Sequence, residues 1–545
     1  MASGDSGAPA VTGADSQSAD DSGGSHKLLR EMGGFENFAV SFSIISILTG
    51  AVLLYGYGLK LSGPIINTVG WPLVSVFTLA VAASMAEITS AWPTAGGLYF
   101  WTFRLGGRGV AWFVAWLNMV GQVTVTAGVN IAAAIYAIGA ISRAAELDPK
   151  TEVPVFGPIT SWYFQLFVMV ILMIPQVLIN VFGIKLTARL SRVSVYWHIG
   201  GVAFIALALL VFGTKNPGSF LLSSTGAATP LEASSAEIAG KTVPALVIGD
   251  FKFASPLFGL FPGLVTLYQR APFVLVFALG MLQAQWTFTG YDASAHVSEE
   301  TRAAKLSSAW GVFLSVAVSA VVGYLLLVVL TWTIPAGDVA ATANDPYPVL
   351  YVLYKALPRW AAHVSAVFIG GAMWLCGLSS ITSMARMWFA FARDGGLPGS
   401  RYLSLIHARY RTPIASIIVT SVLSVAICAY AAAYFVVTSI STITLYLAYG
   451  IPIFLLLKNR LTKSGATLDN GEAPWNLGRA GKAINAVAVV WVAIITVVFC
   501  LPPNELVLWS MIVLGVLLTA GWLISARRNF VGPGKEALAA MDEVS

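Results

Sequence analysis

The chain has 545 residues, of which 57% are hydrophobic and only 10% carry a charged side chain. A water-soluble domain has roughly 25% charged residues, so this composition excludes an ordinary soluble protein and indicates a lipid environment. The formal net charge of +6 is spread over short loops and helix ends without a basic tract, which argues against a nucleic-acid-binding protein.

The N-terminal segment, residues 1–27, is rich in Ser, Gly, Ala and Asp and is predicted to be a disordered tail. Beyond it, apolar runs of about 20 residues recur, and each is long enough to cross a bilayer as a helix. We therefore predict an all-α membrane protein with about twelve transmembrane helices. The predicted spans begin near Phe38, Trp71, Val110, Ser161, Ser191, Pro272, Ala309, Ala361, Ile414, Thr438, Ile484 and Leu506.

The first and the sixth spans both combine hydroxyl side chains with a glycine that can weaken a helix. The first reads SFSIISILTG over residues 41–50, and the sixth reads TFTGYD over residues 287–292. Two such spans, five helices apart, are typical of an inverted repeat. A broken helix frees backbone N–H and C=O groups that can bind a carboxylate, an ammonium group or Na⁺. The alternative for each glycine by itself is close helix packing at a small residue.

Three ionisable side chains fall inside or beside predicted spans. His198, in the fifth span, is either a hydrogen-bonded core histidine or a proton-coupling group, because imidazole changes charge near neutral pH. Asp292 and His296 lie four residues apart, on one face of the sixth span. Asp292 is expected toward the cytoplasmic end, where a gate role and a helix-end role are both open.

Further hydroxyl and acidic groups lie at other span positions. In the eighth span, Ser379 and Ser380 either bond back to helix carbonyls or coordinate a small cation. The remaining acids are interpreted as gate or capping groups near cytoplasmic arginines. They are Glu87, at the end of the second span, and Glu299 and Glu300, after the sixth, with Arg386 among the arginines.

The Lys and Arg residues are distributed unevenly between the loops on the two sides of such a bundle. Most of the 31 fall on the side that holds the N-terminus. Because positively charged loops remain in the cytoplasm, we expect a multi-pass protein of the plasma membrane with both termini cytoplasmic. The longest loop, residues 214–270, is then extracellular and is expected to cap the bundle.

The sequence contains no motif that would indicate an enzyme. It has no Walker-type phosphate-binding loop, so ATP is not expected to drive its activity. No His, Cys and Asp cluster has metal-ligand spacing, and the three cysteines lie in apolar runs as small core residues. We therefore expect neither a cofactor nor a bound metal, and a transport protein rather than an enzyme.

Three longer stretches, when they occur together, are specific to one family of membrane proteins. They are AEITSAWPTAGGLYFW at residues 86–101, FTGYDASAHVSEET at residues 288–301, and SMARMWFAFARDGGLP at residues 383–398 followed by RTP at 411–413. With them the chain resembles the amino acid–polyamine–organocation superfamily, and within it the amino acid/choline transporter branch. The resemblance runs from about residue 28 to about residue 528.

The resemblance implies the LeuT-type fold, in which two inverted repeats of five helices are followed by two peripheral helices. The expected division has a first repeat at 28–213, the extracellular loop at 214–270 and a second repeat at 271–458. Helices 11 and 12 then cover 459–527, and a cytoplasmic C-terminal tail covers 528–545.

The resemblance also implies a substrate site between the first and the sixth spans. Its expected residues are Ser46, Ile47, Thr49 and Gly50 in the first span, Phe288, Gly290 and the gating aromatic Tyr291 in the sixth, Asn118 and Gln122 in the third, and Tyr446 in the tenth. The first span has Leu-Thr-Gly where the superfamily commonly has a doubled glycine. Since no acidic residue is expected at mid-membrane, a zwitterion such as γ-aminobutyrate fits better than a polycation.

Two positions bear on the coupling ion. His198 aligns with a lysine that some proton-coupled relatives place beside the second sodium site, and Ser379 and Ser380 align with hydroxyl ligands of that site in sodium-coupled relatives. The resemblance thus implies a secondary transporter that imports amino acids or related amines by proton symport, with sodium symport or exchange as alternatives. A channel is disfavoured because no filter motif is present, and a transporter-like membrane sensor is a third class.

Overall fold

Long apolar helices dominate the structure, a computed structural model that describes residues 30–148, 150–224, 232–238, 241–248, 251–270, 272–431, 434–462, 468 and 473–534. Ten helices in this part of the chain are long and apolar enough to cross a membrane. A bent pair, Pro262–Arg270 with Phe273–Thr287, adds an eleventh candidate, and a shorter apolar helix covers Ile414–Ala429. The all-α membrane architecture is confirmed, whereas the count of twelve spans is not. The predicted N-terminal tail lies outside the described residues.

The first half of the chain contains the helices that the sequence assigned to the first five spans. They are α1 (Gly34–Ile45), α2 (Ile47–Leu53), α3 (Tyr55–Ser62), α4 (Trp71–Ala91), α5 (Gly97–Gly106), α6 (Arg108–Ala144), α7 (Trp162–Phe182) and α8 (Ile184–Phe212), with a π-helical turn at Ile66–Gly70 and a 3₁₀ turn at Gly218–Leu222.

The second half repeats this composition of long spans and short connecting helices. Its α-helices are α9 (Pro256–Leu260), α10 (Pro262–Arg270), α11 (Pro272–Gly280), α12 (Leu282–Thr287), α13 (Ala293–His296), α14 (Ala304–Trp332), α15 (Val339–Asn344), α16 (Pro348–Ala356), α17 (Arg359–Arg393), α18 (Ser400–Leu403), α19 (Ile414–Ala431), α20 (Tyr434–Thr462), α21 (Gly481–Val498), α22 (Glu505–Gly521) and α23 (Arg527–Asn529). Short 3₁₀ turns lie at Ser298–Glu300, Pro335–Gly337 and Gly478–Ala480, and a π-helical turn at Trp522–Ala526.

Two small antiparallel sheets lie in the connections, and the sequence analysis did not anticipate either. Strands β1 (Glu152–Val153) and β2 (Gly157–Pro158) form a hairpin between α6 and α7. Strands β3 (Glu232–Ile238), β4 (Lys241–Ile248) and β5 (Phe251–Ala254) form a meander within the long loop after α8, in the order β3-β4-β5. In its register Glu232 faces Val247, and Ala245 faces Ala254.

The spans differ in how deeply they lie in the bundle. In the most apolar window of α6, 83% of the residues are buried, whereas only 11% are buried in the last span, Glu505–Asn529. The third span therefore runs through the centre of the bundle, and the last span lies at its periphery, where apolar side chains face outward as lipid contact requires.

Contacts between helix ends define two sides of the bundle. On the side where α1 begins, which we call the N-terminal side, Met32 pairs with Thr301 in a parallel β-bridge. On the same side Lys185 at the start of α8 lies 3.1 Å from the carboxylate of Glu31. The segment before α1 is therefore bound both to α8 and to the segment after α13.

The opposite side, which we call the far side, is tied by two further ion pairs. Arg143 at the end of α6 lies 2.5 Å from the carboxylate of Asp345, which precedes α16. Arg359 at the start of α17 lies 2.7 Å from Glu146, and both side chains of this second pair are largely exposed. The helices are thus connected on both sides of the central region that contains the two interrupted spans.

Candidate functional site

The first span is interrupted at Ser46, which separates α1 from α2. Its backbone is left-handed, with φ 34° and ψ 85°, a conformation that is unfavourable for a residue with a Cβ. The sequence pointed to Gly50 as the residue that weakens this span, but the interruption lies four residues earlier. The reason is tertiary, because the Ser46 side chain is held by His198 of α8 at 2.7 Å.

Gly50 lies inside α2 and allows this helix to pack closely against α12 of the sixth span. A Cβ at this position would lie 2.5 Å from Oγ1 and 2.7 Å from Cα of Thr287 in α12, which is closer than real side chains pack. The first and the sixth spans therefore approach each other at Gly50 as closely as only a glycine allows.

The sixth span is interrupted between Thr287 and Ala293, where α12 ends and α13 begins. Gly290 in this interval has φ +87°, and a Cβ there would overlap Cγ2 of Ile44 at the end of α1. Both the backbone conformation and the space thus require glycine. The interruptions of the first and the sixth spans meet at this point, as an inverted repeat would arrange them.

Two tyrosines of α20 bind backbone groups that the sixth-span interruption frees. The hydroxyl of Tyr446 donates to the carbonyl oxygen of Phe288 at 2.5 Å. The backbone N–H of Gly290 donates to the hydroxyl oxygen of Tyr449 at 3.2 Å. Sequence reasoning included Tyr446 but missed Tyr449, although the two are three residues apart and therefore share a helix face.

A small cavity lies where these spans meet. Its volume of about 10 Å³ has room for about one water molecule and is too small for an amino acid. The lining comes from Ile44, Ile45, Thr49 and Gly50 of the first span, Val125 and Val129 of α6, and Trp286, Thr287 and Thr289 of the sixth span.

Asp292 lies at the centre of a buried polar group that we call the Asp292 cluster. Its Oδ2 accepts hydrogen bonds from the side-chain amides of Asn118 and Gln122, both of α6 and both at 2.9 Å. Nε2 of His296 lies 3.0 Å from the same oxygen, and the hydroxyl of Tyr449 donates to Oδ1 at 2.8 Å. All five side chains are buried.

Asp292 was expected toward the cytoplasmic end of the sixth span, as a gate or helix-end group. The interruption of the sixth span turns residue 292 inward, so its carboxylate contacts Asn118 and Gln122, two residues expected to bind substrate. Two of the residues expected to bind substrate therefore adjoin a buried acid, although none of the three lines the cavity. The sequence could not reveal this, because the two chain segments are 174 and 170 residues apart.

Tyr291 and Ile47 are also buried beside the two interruptions. The ring of Tyr291 packs against that of Tyr449, with centroids 4.9 Å apart, and its backbone carbonyl accepts from the hydroxyl of Ser41 in α1. Ile47 is the first residue of α2 and is fully buried. Both residues therefore belong to the packed region around the cavity, although neither lines it.

His198 of α8 has a hydrogen-bond partner on each ring nitrogen. Nδ1 lies 2.7 Å from the carbonyl oxygen of Ser194, and Nε2 lies 2.7 Å from Oγ of Ser46. A neutral imidazole with its proton on Nδ1 satisfies both contacts, since Nδ1 donates and Nε2 accepts from the Ser46 hydroxyl. The Ser46 hydroxyl also lies 2.5 Å from Oγ1 of Thr49, which lines the cavity.

The serine pair of the eighth span is divided between two environments. Oγ of Ser379 lies 3.4 Å from Oγ of Ser191, which is on the same face of α8 as His198. Ser380 instead donates to the carbonyl oxygen of Cys376 in its own helix at 2.9 Å. Ser379 is thus close to the polar face of α8, whereas Ser380 makes the intrahelical bond that membrane helices commonly use.

The acid at the end of the second span forms a buried ion pair. Glu87 accepts two hydrogen bonds from the guanidinium of Arg460 in α20, both at 3.0 Å, and a third from the backbone N–H of Leu477. Both charged side chains are buried. This ion pair holds α4, α20 and the segment before α21 together, so its contacts are structural.

The two acids after the sixth span are each matched by an arginine of α17. Glu300 and Arg386 form a bidentate pair at 3.1 and 3.3 Å, and each side chain is only 1% exposed. Glu299 lies 3.2 Å from Arg393 and is partly exposed. These pairs bind the end of the sixth span to the last turns of α17, which lie on the N-terminal side of the bundle. Within the described residues no group of three or more His, Cys, Asp or Glu side chains could hold a metal ion.

Comparisons with known proteins find relatives over most of the chain. A family model described as Amino acid permease matches residues 35–522, which include both interrupted spans. The chain is 31% identical over 533 residues to the Amino-acid permease BAT1 homolog of Oryza sativa subsp. japonica, with 93% of each chain covered. It is 31% identical over 534 residues to Amino-acid permease BAT1 of Arabidopsis thaliana, covering 93% of this chain and 94% of that one. It is also 25% identical over 399 residues to the GABA-specific permease of Saccharomyces cerevisiae, covering 73% of this chain and 62% of the relative.

Proposed function

The chain belongs to the amino acid permease family and is a membrane transporter of amino acids rather than an enzyme, and from that premise we propose that it is a proton-coupled importer. The observation that carries the coupling proposal is the 2.7 Å contact between Nε2 of His198 and the hydroxyl of Ser46. It connects an imidazole, which can bind a proton on Nε2, to the residue at which the first span is interrupted.

The coupling step follows from the chemistry of this contact. A proton added to Nε2 of His198 turns that atom from an acceptor into a donor, so the Ser46 hydroxyl has to rotate and accept. That rotation also changes the contact of Ser46 with Thr49, which lines the cavity. Protonation of His198 and the shape of the site are thereby linked, and by reciprocity substrate binding changes the affinity of His198 for the proton.

The substrate occupies the cavity between α2, α6 and α12 once the site opens. Its carboxylate and ammonium groups bind backbone groups at the two interruptions, and they replace tyrosine contacts such as that of Tyr449 with the N–H of Gly290. The lining has hydroxyl and apolar side chains without a formal charge, which favours a small zwitterion. One relative is named a GABA-specific permease, which supports γ-aminobutyrate as a candidate substrate.

The proposed orientation in the membrane rests on the distribution of charge along the sequence. Most Lys and Arg residues lie in loops on the N-terminal side, which makes that side cytoplasmic in the plasma membrane. The pairs of Glu299 with Arg393 and of Glu300 with Arg386 then lie on the cytoplasmic side of the site, and they separate for release of substrate into the cell.

Sodium coupling is the second candidate, because Ser379 lies 3.4 Å from Ser191 on the polar face of α8. Hydroxyl oxygens are suitable ligands for a hard cation, and Na⁺ bound here would hold α17 against α8. An exchanger of the same fold would use the substrate site without either coupling group.

The purified protein in proteoliposomes tests these possibilities directly. Radiolabelled γ-aminobutyrate, arginine, alanine, glutamate and choline are offered under an imposed proton gradient, a sodium gradient or neither. Accumulation of one compound under the proton gradient is expected, and it identifies the substrate. Accumulation under the sodium gradient alone would replace proton symport by sodium symport. Counterflow exchange without accumulation under either gradient would indicate an exchanger, and binding without any uptake a sensor.

A further inference from the structure

Asp292 and His296 form an acid–imidazole pair that the coupling through His198 does not use. The two residues belong to the interrupted sixth span, and both side chains are 0% exposed. Ionisable groups at such depth in a membrane protein are costly to bury and are commonly retained for function. Nε2 of His296 lies 3.0 Å from Oδ2 of Asp292.

The hydrogen bonds around Asp292 indicate that its carboxylate is ionised. An ionised carboxylate is a pure acceptor with about four lone-pair sites, and here four groups face it: three donate, and the fourth, Nε2 of His296, donates in the tautomer that carries its proton there. They are the side chains of Asn118, Gln122, Tyr449 and His296, which approach the two oxygens at 2.8–3.0 Å. Asp292 therefore carries a fixed negative charge, and its partner nitrogen on His296 carries a proton.

The charge of the cluster then depends on the second ring nitrogen of His296. Nδ1 is buried and has no hydrogen-bond partner among the described residues. With Nδ1 bare, the cluster holds one uncompensated negative charge inside the bundle. With Nδ1 protonated, imidazolium and carboxylate form a pair without net charge, which is far less costly in a medium of low dielectric constant.

The other titratable groups near the pair do not supply a compensating charge. The residues of α6 that face Asp292 are the neutral amides of Asn118 and Gln122, and α20 presents the neutral tyrosines Tyr446 and Tyr449. The neighbouring Tyr291 is a neutral phenol as well. The acids that follow on the same segment, Glu299 and Glu300, are matched by Arg393 and Arg386 of α17.

We propose that Nδ1 of His296 is a second proton-binding site of this transporter, with the carboxylate of Asp292 as its fixed counter-charge. The proposal rests on the proposed function as a proton-coupled carrier. When the site is open to one side, a hydronium ion gives its proton to the lone pair of Nδ1, so that an O–H bond breaks, an N–H bond forms and water is left. When the site opens to the other side, the N–H bond breaks and the proton passes to a water molecule there.

A single residue connects this site to the interruption of the sixth span. The hydroxyl of Tyr449 donates to Oδ1 of Asp292 and accepts from the N–H of Gly290. A substrate carboxylate that takes the Gly290 N–H removes one of the two bonds that hold Tyr449, and so disturbs the pair beyond it. Substrate and proton therefore act on the same hydrogen-bonded chain, which is the condition for coupled binding.

The test compares three variants in proteoliposomes that contain a trapped pH-indicator dye. His296→Gln keeps a donor toward Asp292 but cannot take a proton, so a merely structural role would survive it. Asp292→Asn removes the counter-charge at nearly constant shape. His407→Gln is the matched control, because His407 is exposed in the connection between α18 and α19. Each variant is first checked for folded protein by gel filtration and thermal melting in detergent.

The readout is the number of protons that enter with each molecule of the compound that the wild type accumulates from the panel above. His296→Gln and Asp292→Asn are expected to lower this ratio by about one proton, as loss of one imidazole site requires. Accumulation under the proton gradient is expected to fall by about tenfold or more, whereas counterflow exchange, which moves no net proton, falls much less. His407→Gln should retain the wild-type ratio.

The outcomes separate the two proposals. If both cluster variants fold and keep the wild-type ratio of protons to substrate, the second proton site is refuted while coupling through His198 stands. If the wild type itself accumulates no compound under a proton gradient, proton symport fails, and the coupling role of His296 falls with it. A loss in His296→Gln that also removes counterflow completely would assign the residue to structure and overturn the proposal.

Discussion

Oγ of Ser46 lies 2.7 Å from Nε2 of His198, so the residue that interrupts the first span is bound directly to the imidazole of the fifth. The left-handed backbone of Ser46 has an intrinsic cost of about 1–3 kcal/mol, which surrounding contacts have to offset. The bond to His198 is one such contact, and it depends on the charge of the imidazole. We therefore expect the shape of the first span to respond to the charge of this imidazole.

His198→Ala should remove the dependence of uptake on external pH. Without the imidazole no proton can act on Ser46, so accumulation under a proton gradient is expected to fall by about tenfold or more, while counterflow exchange falls much less. Uptake as a function of external pH measures the effect. His363→Ala is the control, since His363 lies near the far-side start of α17. Unchanged accumulation under a proton gradient in His198→Ala would refute this role.

Gly290→Ala should abolish high-affinity substrate binding in protein that still folds. The added Cβ would overlap Ile44 and would have to occupy a backbone with φ +87°. We expect a loss of about 1–3 kcal/mol in stability from the backbone alone, and a larger substitution such as Gly290→Leu should act more strongly. Substrate binding and the melting temperature in detergent are the measurements.

Gly200→Ala is the matched control for that glycine, because Gly200 is helical and a Cβ there meets nothing within 4 Å. This variant should be neutral or slightly stabilising, as a helical glycine costs about 0.5–1 kcal/mol relative to alanine. Normal affinity in Gly290→Ala would mean that the interruption of the sixth span is not the substrate site.

Arg386→Met should destabilise the protein strongly, because it leaves the buried carboxylate of Glu300 without its partner. Loss of one member of a buried pair costs about 3–5 kcal/mol, and the double variant Arg386→Met/Glu300→Gln should recover part of it. The comparable change Arg359→Met breaks an exposed pair with Glu146 and should cost only about 0–1 kcal/mol. Thermal unfolding in one detergent compares the variants, and equal melting temperatures for the two single variants would contradict the assignment.

Thr49→Val should weaken substrate binding without removing the cavity. The substitution keeps the side-chain shape but deletes the hydroxyl that lies 2.5 Å from Oγ of Ser46. One neutral hydrogen bond contributes about 0.5–1.5 kcal/mol, so we expect KM to rise by about two- to tenfold. Thr124→Val in α6 is the control, since that hydroxyl bonds to its own helix at Val120. A KM that is unchanged by Thr49→Val would exclude Thr49 from the site.

The sequence by itself determined the architecture. Apolar runs of about 20 residues can only be helices in lipid, because each backbone N–H and C=O has to be satisfied within its own segment. That rule is local, so predicted span starts such as Trp71 and Ile414 coincide with the first residues of α4 and α19. Glycine and hydroxyl residues also indicated the sixth-span interruption, since the left-handed backbone at Gly290 is a local requirement.

Only the tertiary structure decided which polar groups meet inside the bundle. The contacts of Ser46 with His198, of Tyr449 with Gly290 and of Asp292 with Asn118 join residues 152, 159 and 174 positions apart. No periodicity in the sequence indicates such pairings, because each helix satisfies its own backbone hydrogen bonds and its polar side chains can pair with any neighbouring helix. Which partners they meet depends on how the helices rotate and pack. A buried carboxylate such as Asp292 is tolerated only when donors from several helices converge on it.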